Sequence, residues 1–409
     1  MLIEFSVSNW RSIKSKQTLS FVKTAGNELS ETNCFKSPIY KNFLLKSAAI
    51  YGPNAGGKSN FLKAIEAVEN IVVHSAKKQH GDKIPVQPFL LDENSRNEPT
   101  EFELTFIADG VRYQYGFLAV TDHIIEEWLF AFPKGVAQKW LERIWQPDTR
   151  TYAWMKCSAL LGSEKQKRLW QDSTRQNALF LSTAVQLNCT QLQPVYDWFK
   201  NTLIINTDGH WSPFITADMY KNSKSGIHVL EFLKAADLGI CEISVKSEKF
   251  SIELLPESMP DEFKKRVLEE MKDKDVFNIK TLHKNLNGKF TEFDLDEESD
   301  GTQKYFDLAG PWISALHKGQ VLVVDELNDN LHPKLVRFLV QLFNSEKSNP
   351  KGAQLLFTSH ETSILDQNLL RRDQIWFSQK DNDQSTYLTQ LREYKVIKGR
   401  ENIEAYYLA

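Results

Sequence analysis

The chain has 409 residues, 41% hydrophobic and 25% charged, with a formal net charge of −3. That composition fits a globular protein with a large core, built as two or three units or as one domain with an insertion. The near balance of charge excludes a generally basic nucleic-acid coat, though not a local basic groove.

In chain order, LIEFSVS (2–8) alternates apolar and polar residues and predicts a strand, with TLSFV (18–22) as its partner. SAAIY (47–51) is a short apolar strand running into GPNAGGKSN (52–60). Behind it, residues 58–76 place Phe61, Leu62, Ile65, Val68 and Ile71 at helical spacing. EFELTFIADGVRYQYGFLAV (101–120) alternates on both sides of Asp109-Gly110, a hairpin signal. The middle of the chain, rich in Trp, Leu, Lys and Gln, reads as a helical insertion, with clear helical stretches at 177–203 and 226–239. Residues 261–275 predict a charged amphipathic helix. Then follow a strand in KFTEFDL, a helix over 301–317 containing Pro311, and a buried strand at 320–326. A helix over 332–345 with Pro333 in its first turn precedes strands at 354–360, 373–379 and 385–391. Strands alternating with helices at both ends imply a largely parallel α/β sheet. Expected boundaries are an N-terminal lobe over 1–124, a mainly helical effector or dimer region over 125–280, and a C-terminal lobe over 281–409.

The four cysteines, Cys34, Cys157, Cys189 and Cys241, form no CxxC pair and predict reduced thiols rather than a zinc site. No signal peptide opens the chain, and no apolar run reaches the ~18 residues of a membrane span. The expectation is a cytoplasmic protein without a membrane segment.

Residues 52–59 fit GxxxxGK[ST] in full, between an apolar strand and a helix. The chemistry asks for these residue types. Backbone N–H groups must point at phosphate oxygens, so side chains must be small, and a helix N-terminus adds unpaired donors. Lys58 can reach the β- and γ-phosphates, and the Ser59 hydroxyl can ligand Mg²⁺. VLVVDE ends a strand with Asp325, suited to the Mg²⁺ shell, and Glu326, suited to polarising water for attack on the γ-phosphate. The wide separation of Lys58 from Asp325 suits a sheet assembled from two distant lobes. Ser299-Asp300-Gly301 opens the helix before that strand, and His360 ends the next one. Taken singly, the former is an N-cap and the latter a structural histidine. Their order relative to the other two motifs points to nucleotide contacts.

With these motifs together, the sequence resembles ABC-type ATPases of the structural-maintenance-of-chromosomes and Old (overcoming lysogenisation defect) group. More narrowly, it is similar to the AAA-fifteen or RloA-like proteins associated with phage defence. The resemblance rests on FSVSNWRSI, GPNAGGKSN, VQPFLLDE, ESDGTQKYF, VLVVDELNDNLHP, LLFTSHETSILD and RRDQIWFSQK, at both ends of the chain. It implies an α/β fold: an ABC-type P-loop ATPase head with a mixed sheet, flanking helices, an antiparallel lobe and an inserted helical region. It implies ATP, rather than GTP, and Mg as cofactors. Gly52, Asn54, Ala55, Gly56, Gly57, Lys58, Ser59 and Asn60 would contact the nucleotide. Ser59 and Asp325 would hold the metal, with Gln87 in VQPF as a further ligand. Lys58, Glu326 and His360, the switch histidine, would form the catalytic set, and Arg11 would lie near the nucleotide. Ser299, Asp300 and Gly301 stand where the ABC signature lies, which would touch the γ-phosphate bound by the opposite subunit of a head-to-tail dimer.

The sequence also departs from the pattern. The signature reads SDGTQ rather than SGGQ, and His332 stands where Asp is common after Leu331. No TOPRIM-like Glu and Asp-x-Asp arrangement follows Glu326, and the chain stops at YYLA, where relatives often continue. A separate effector, such as a TOPRIM-type nuclease, is therefore expected as partner. The function implied is an ATPase that serves as sensor and scaffold in anti-phage defence. The alternatives are a repair or chromosome-type ATPase that clamps nucleic acid directly, and a nucleotide-locked scaffold of slow turnover. A clamp would need a basic groove, and no dense Lys/Arg stripe supplies one.

Overall fold

A computed structural model describes residues 1–222, 226–236, 239–250, 259–270 and 275–394. The last turn of the expected charged helix, 271–274, and the terminal YYLA lie outside the described residues. The chain divides into two compact units. The first holds Met1–Gly209, Ala315–Asp329 and the described residues from Pro333 onward; the second holds His210–Ser314 and Asn330–His332.

In the first unit, a six-stranded sheet runs in the order Leu203–Asn206, Val321–Val324, Gln354–Ser359, Ser47–Tyr51, Ile375–Lys380, Thr386–Gln390. The first five strands are parallel, and the last pairs antiparallel at one edge. Ser47–Tyr51 and Gln354–Ser359 are buried at every position, as inner strands of a covered parallel sheet must be. One strand, Gln354–Ser359, separates the strand before the glycine loop from the strand before Asp325. Both loops therefore open from carboxyl ends of the same sheet, where α/β ligands bind.

The second sheet of this unit is a seven-stranded antiparallel one, in the order Thr151–Trp154, Gln138–Gln146, Ile124–Phe132, Val111–Ala119, Thr100–Ala108, Leu2–Ser8, Gln17–Ser20. The expected hairpin is present, and Asp109 (φ 44°) and Gly110 (φ 72°) supply the two left-handed residues of its two-residue turn. Helix Lys58–His74 buries Phe61, Leu62, Ile65, Val68, Ile71 and Val72 in a core shared with both sheets. Phe61 meets Phe5 edge-on at 5.3 Å.

The expectation of helix from residue 125 is corrected at its start. Residues 124–154 form three strands that extend the antiparallel sheet, and helices begin at Glu164–Ser173. The cause is a buried ion pair. Arg143 and Glu127, both wholly buried on neighbouring strands, pair at 2.8 Å. Glu127 also accepts from the Tyr115 hydroxyl and from the Phe180 and Leu181 N–H groups. Two charged residues on the inner face hide the period-two pattern that marks a strand.

The second unit contains helices Pro213–Asn222, Gly226–Ala235 and Asp261–Glu270. It also contains a three-stranded antiparallel sheet of Glu242–Lys249, Asp275–Lys284 and Phe290–Asp294, and the start of helix Asp300–Lys318. Among the described residues no helix is long and apolar enough to cross a membrane.

Candidate functional site

The glycine loop leaves strand Ser47–Tyr51 and turns straight into helix Lys58–His74. Gly57 is the N-cap at φ 102°, and no side chain caps the helix, so its first-turn N–H groups stay available to an anion. A side chain at Gly57 would strike the Thr386 hydroxyl, 2.1 Å from the Cβ position. At Gly52 it would strike the Ser378 carbonyl at 2.3 Å. The last two strands of the sheet thus clamp the loop from outside. Ser378 Oγ donates to the Gly56 carbonyl at 2.8 Å, and Thr386 Oγ1 donates to the same oxygen at 3.2 Å. The Thr386 N–H donates to the Ser12 carbonyl, and the Asn60 amide donates to Ser12 Oγ at 2.8 Å.

A cavity of about 430 Å³ opens over this loop, lined by Asn54, Ala55, Gly56, Gly57, Lys58, Ser59, Asn60 and Glu326. Lys58 is buried, and its Nζ donates to the Gly52 and Pro53 carbonyls at 2.9 and 3.2 Å. Burial lowers its pKa from the ordinary lysine value, against the carboxylates of Glu326 and Asp325.

Asp325 and Glu326 follow strand Val321–Val324, and one hydroxyl fixes both. Thr358 Oγ1, on the adjacent strand, donates to Asp325 Oδ1 at 2.5 Å and accepts the Glu326 N–H at 2.7 Å. Asp325 is buried, and its own N–H donates to the Asn206 carbonyl at 3.0 Å. Glu326 sits at φ 49°, a left-handed conformation costly for a non-glycine residue, and begins a turn closed by the Asp329 N–H. His360 Nδ1 lies 3.3 Å from Glu326 Oε2, and the Asn328 amide lies 3.1 Å from His360 Nε2. Both contacts are satisfied when Nδ1 carries the proton and Nε2 accepts.

The loop therefore brings Lys58 and Ser59 to Glu326, with Asp325 and His360 beside it. The residues fit a triphosphate and Mg²⁺. The uncapped helix end, small residues and buried ammonium suit phosphate. Ser59 and Asp325 supply one hydroxyl and one carboxylate, leaving positions to water and phosphate as Mg²⁺ prefers. Arg11 and Gln87 are placed together in a neighbouring cavity of about 620 Å³ that shares Asn60 with the first. The Gln87 carbonyl accepts the Arg11 N–H at 2.7 Å, and the Arg11 guanidinium stands 5.1 Å over Trp10. Gln87 does not line the cavity of Ser59 and Glu326. Ser299, Asp300 and Gly301 lie in the second unit, where Ser299 Oγ accepts the Thr302 N–H at 3.3 Å. A cavity of about 640 Å³, lined by Trp140, Trp154, Lys156 and Arg168 among others, contains none of these residues.

Sequence reasoning missed Thr358, Ser378, Thr386, Ser12 and Asn328. Thr358, Asn328, Ser378 and Ser12 stand inside the marked stretches LLFTSHETSILD, VLVVDELNDNLHP, RRDQIWFSQK and FSVSNWRSI, whereas Thr386 stands in none of them.

The sheet order, the glycine loop and the acidic pair define an ABC-type P-loop ATPase fold. Residues 47–366 match the family described as "AAA domain, putative AbiEii toxin, Type IV TA system", and the chain belongs to that family. No curated protein matches the chain. Among solved structures it is similar to the SMC head domain from Thermotoga maritima, at 12% identity and a TM-score of 0.42, over 97% of this chain and 99% of that one. It is also similar to an Smc head domain bound to the C-terminal domain of ScpA from Pyrococcus furiosus, at 14% identity and a TM-score of 0.41, over 96% and 97% of the two chains. The recombination mediator protein RecF with ATP matches at 15% identity and a TM-score of 0.36, over 95% and 99%.

Proposed function

We propose that this protein is a Mg-dependent ATPase that closes head-to-tail around ATP and controls a separate effector in bacterial anti-phage defence. The observation that carries the reading is the single cavity holding Lys58, Ser59 and Glu326 together. Lys58 and the loop N–H groups bind the phosphates, and Ser59 and Asp325 hold Mg²⁺, which screens phosphate charge when bound. Glu326 takes the proton of the attacking water. His360 orients Glu326, and must turn its Nδ1–H away from that carboxylate to donate to the γ-phosphate. Ser299, Asp300 and Gly301 of a second copy complete the site, so ligand binding favours the closed dimer. The insertion at 125–280 is the docking region for effector or partner. A cytoplasmic two-component system agrees with the toxin–antitoxin description of the family.

Glu326→Gln retains ATP binding and removes the base, so it accumulates the closed state. Size-exclusion chromatography with ATP and Mg²⁺ is expected to shift this variant to dimer or larger. No shift overturns the head-to-tail model. Pull-down of the same variant with its gene neighbours is expected to retain a stoichiometric protein. Retention only of nucleic acid, lost at high salt, supports the clamp instead.

A further inference from the structure

The signature serine does not stand alone. Glu298, immediately before it, is largely buried, and its Oε1 receives two hydrogen bonds from strand Asp275–Lys284. Thr281 Oγ1 donates at 2.5 Å and His283 Nε2 donates at 2.7 Å. Thr281 is wholly buried, and His283 meets Phe293 edge-on at 5.4 Å. On its other side the Glu298 carbonyl accepts from the Gln303 side chain at 2.7 Å, which ties it to the first turn of helix Asp300–Lys318. The residue preceding the signature is therefore anchored to a sheet by its carboxylate and to the helix by its carbonyl. Ser299 itself is exposed.

We propose that Glu298 is a positioning residue for the signature, through its hydrogen bonds to Thr281 and His283. The inference rests on the head-to-tail reading above and names what fixes the backbone that leads into Ser299. A carboxylate with two donors resists rotation, because leaving the buried Thr281 hydroxyl without it carries a desolvation cost. The anchor fixes the direction in which the Ser299 hydroxyl and the Asp300 and Gly301 N–H groups face. Under that reading these groups act on nucleotide held by the other subunit. Loss of the anchor lowers turnover while each chain's own phosphate loop keeps its affinity.

The test is steady-state ATPase kinetics and binding of a fluorescent ATP analogue on the full chain, with melting temperature as control. Glu298→Ala is expected to lower kcat about tenfold, the size set by losing hydrogen bonds to a charged group, with the analogue's Kd within about twofold. Glu298→Gln keeps an acceptor oxygen and is expected to restore most of the turnover. The paired substitution Thr281→Val with His283→Phe removes both donors and so the anchor from the other side, and decides the matter should Glu298→Ala unfold. Wild-type kcat in Glu298→Ala and in the paired variant, with Ser299→Ala impaired, overturns the inference and leaves the head-to-tail reading standing. Full activity of Ser299→Ala overturns both. A loss of kcat and of analogue binding in proportion, not restored by Glu298→Gln, marks a merely structural role and also overturns it.

Discussion

Two helix N-termini in this protein are built in opposite ways. Helix Lys58–His74 begins at a glycine with no capping side chain, and its surroundings press in through Ser378 and Thr386. Helix Asp300–Lys318 begins behind Ser299, whose hydroxyl accepts the Thr302 N–H and contacts the Thr302 hydroxyl at 2.9 Å. The first end is bare and rigid, and its donors have nothing to do until an anion arrives. At the second end the serine gives an oxygen lone pair to the Thr302 N–H, and its own O–H can still donate.

The largest effect expected is at the bare end. Lys58→Ala removes the buried ammonium and should weaken ATP binding beyond detection, roughly a hundredfold or more, by titration calorimetry. Retained binding would mean that the loop amides suffice.

Next comes the hydroxyl that fixes Asp325 and Glu326. Thr358→Val keeps shape and removes two hydrogen bonds, so kcat should fall about tenfold with ATP affinity less changed. An unchanged kcat would show that the turn at Glu326 holds its own geometry.

The smallest effect concerns the helix behind the capped end. Burial pushes the Asp307 carboxyl up to about 7, against the pull of Lys304. An unfolded aspartate titrates near 4. Below about pH 4 both states hold the proton. Between about 4 and 7 only the folded chain holds it, so stability falls as pH rises through that window and stays low above it. Asp307→Asn should therefore raise the melting temperature more at pH 8 than at pH 4.5, by a few degrees in a calorimetric scan. Equal shifts at the two pH values would remove Asp307 as the cause.

Much of this site was legible because its chemistry is local. GPNAGGKSN, VLVVDE and LLFTSH each carry a strand, its end and the functional residue within a few positions, and the sheet brings them to one edge. The clamps were not legible, because Ser378 and Thr386 reach the loop only across strands that meet in the folded state. Strands 124–154 were hidden by Glu127 and Arg143, whose charges occupy inward positions that pattern reading assigns to apolar residues. Glu298 opens the marked ESDGTQKYF stretch, but only the neighbouring strand gives it a task.

Gln354 starts the strand that ends beside Asp325, and its side chain joins the two sheets of the first unit. It accepts the Leu2 N–H at 2.6 Å and donates to the Leu2 and Leu45 carbonyls at 2.9 and 3.2 Å. The partners lie 352 positions apart along the chain. At about 5–20 residues per second of ribosomal synthesis, the opening strand waits some 20–70 s for this partner. During that interval the nascent chain carries a strand edge and a phosphate loop that nothing yet covers. Such a protein has reason to depend on chaperones while it is made, and on its last hundred residues to become an enzyme at all.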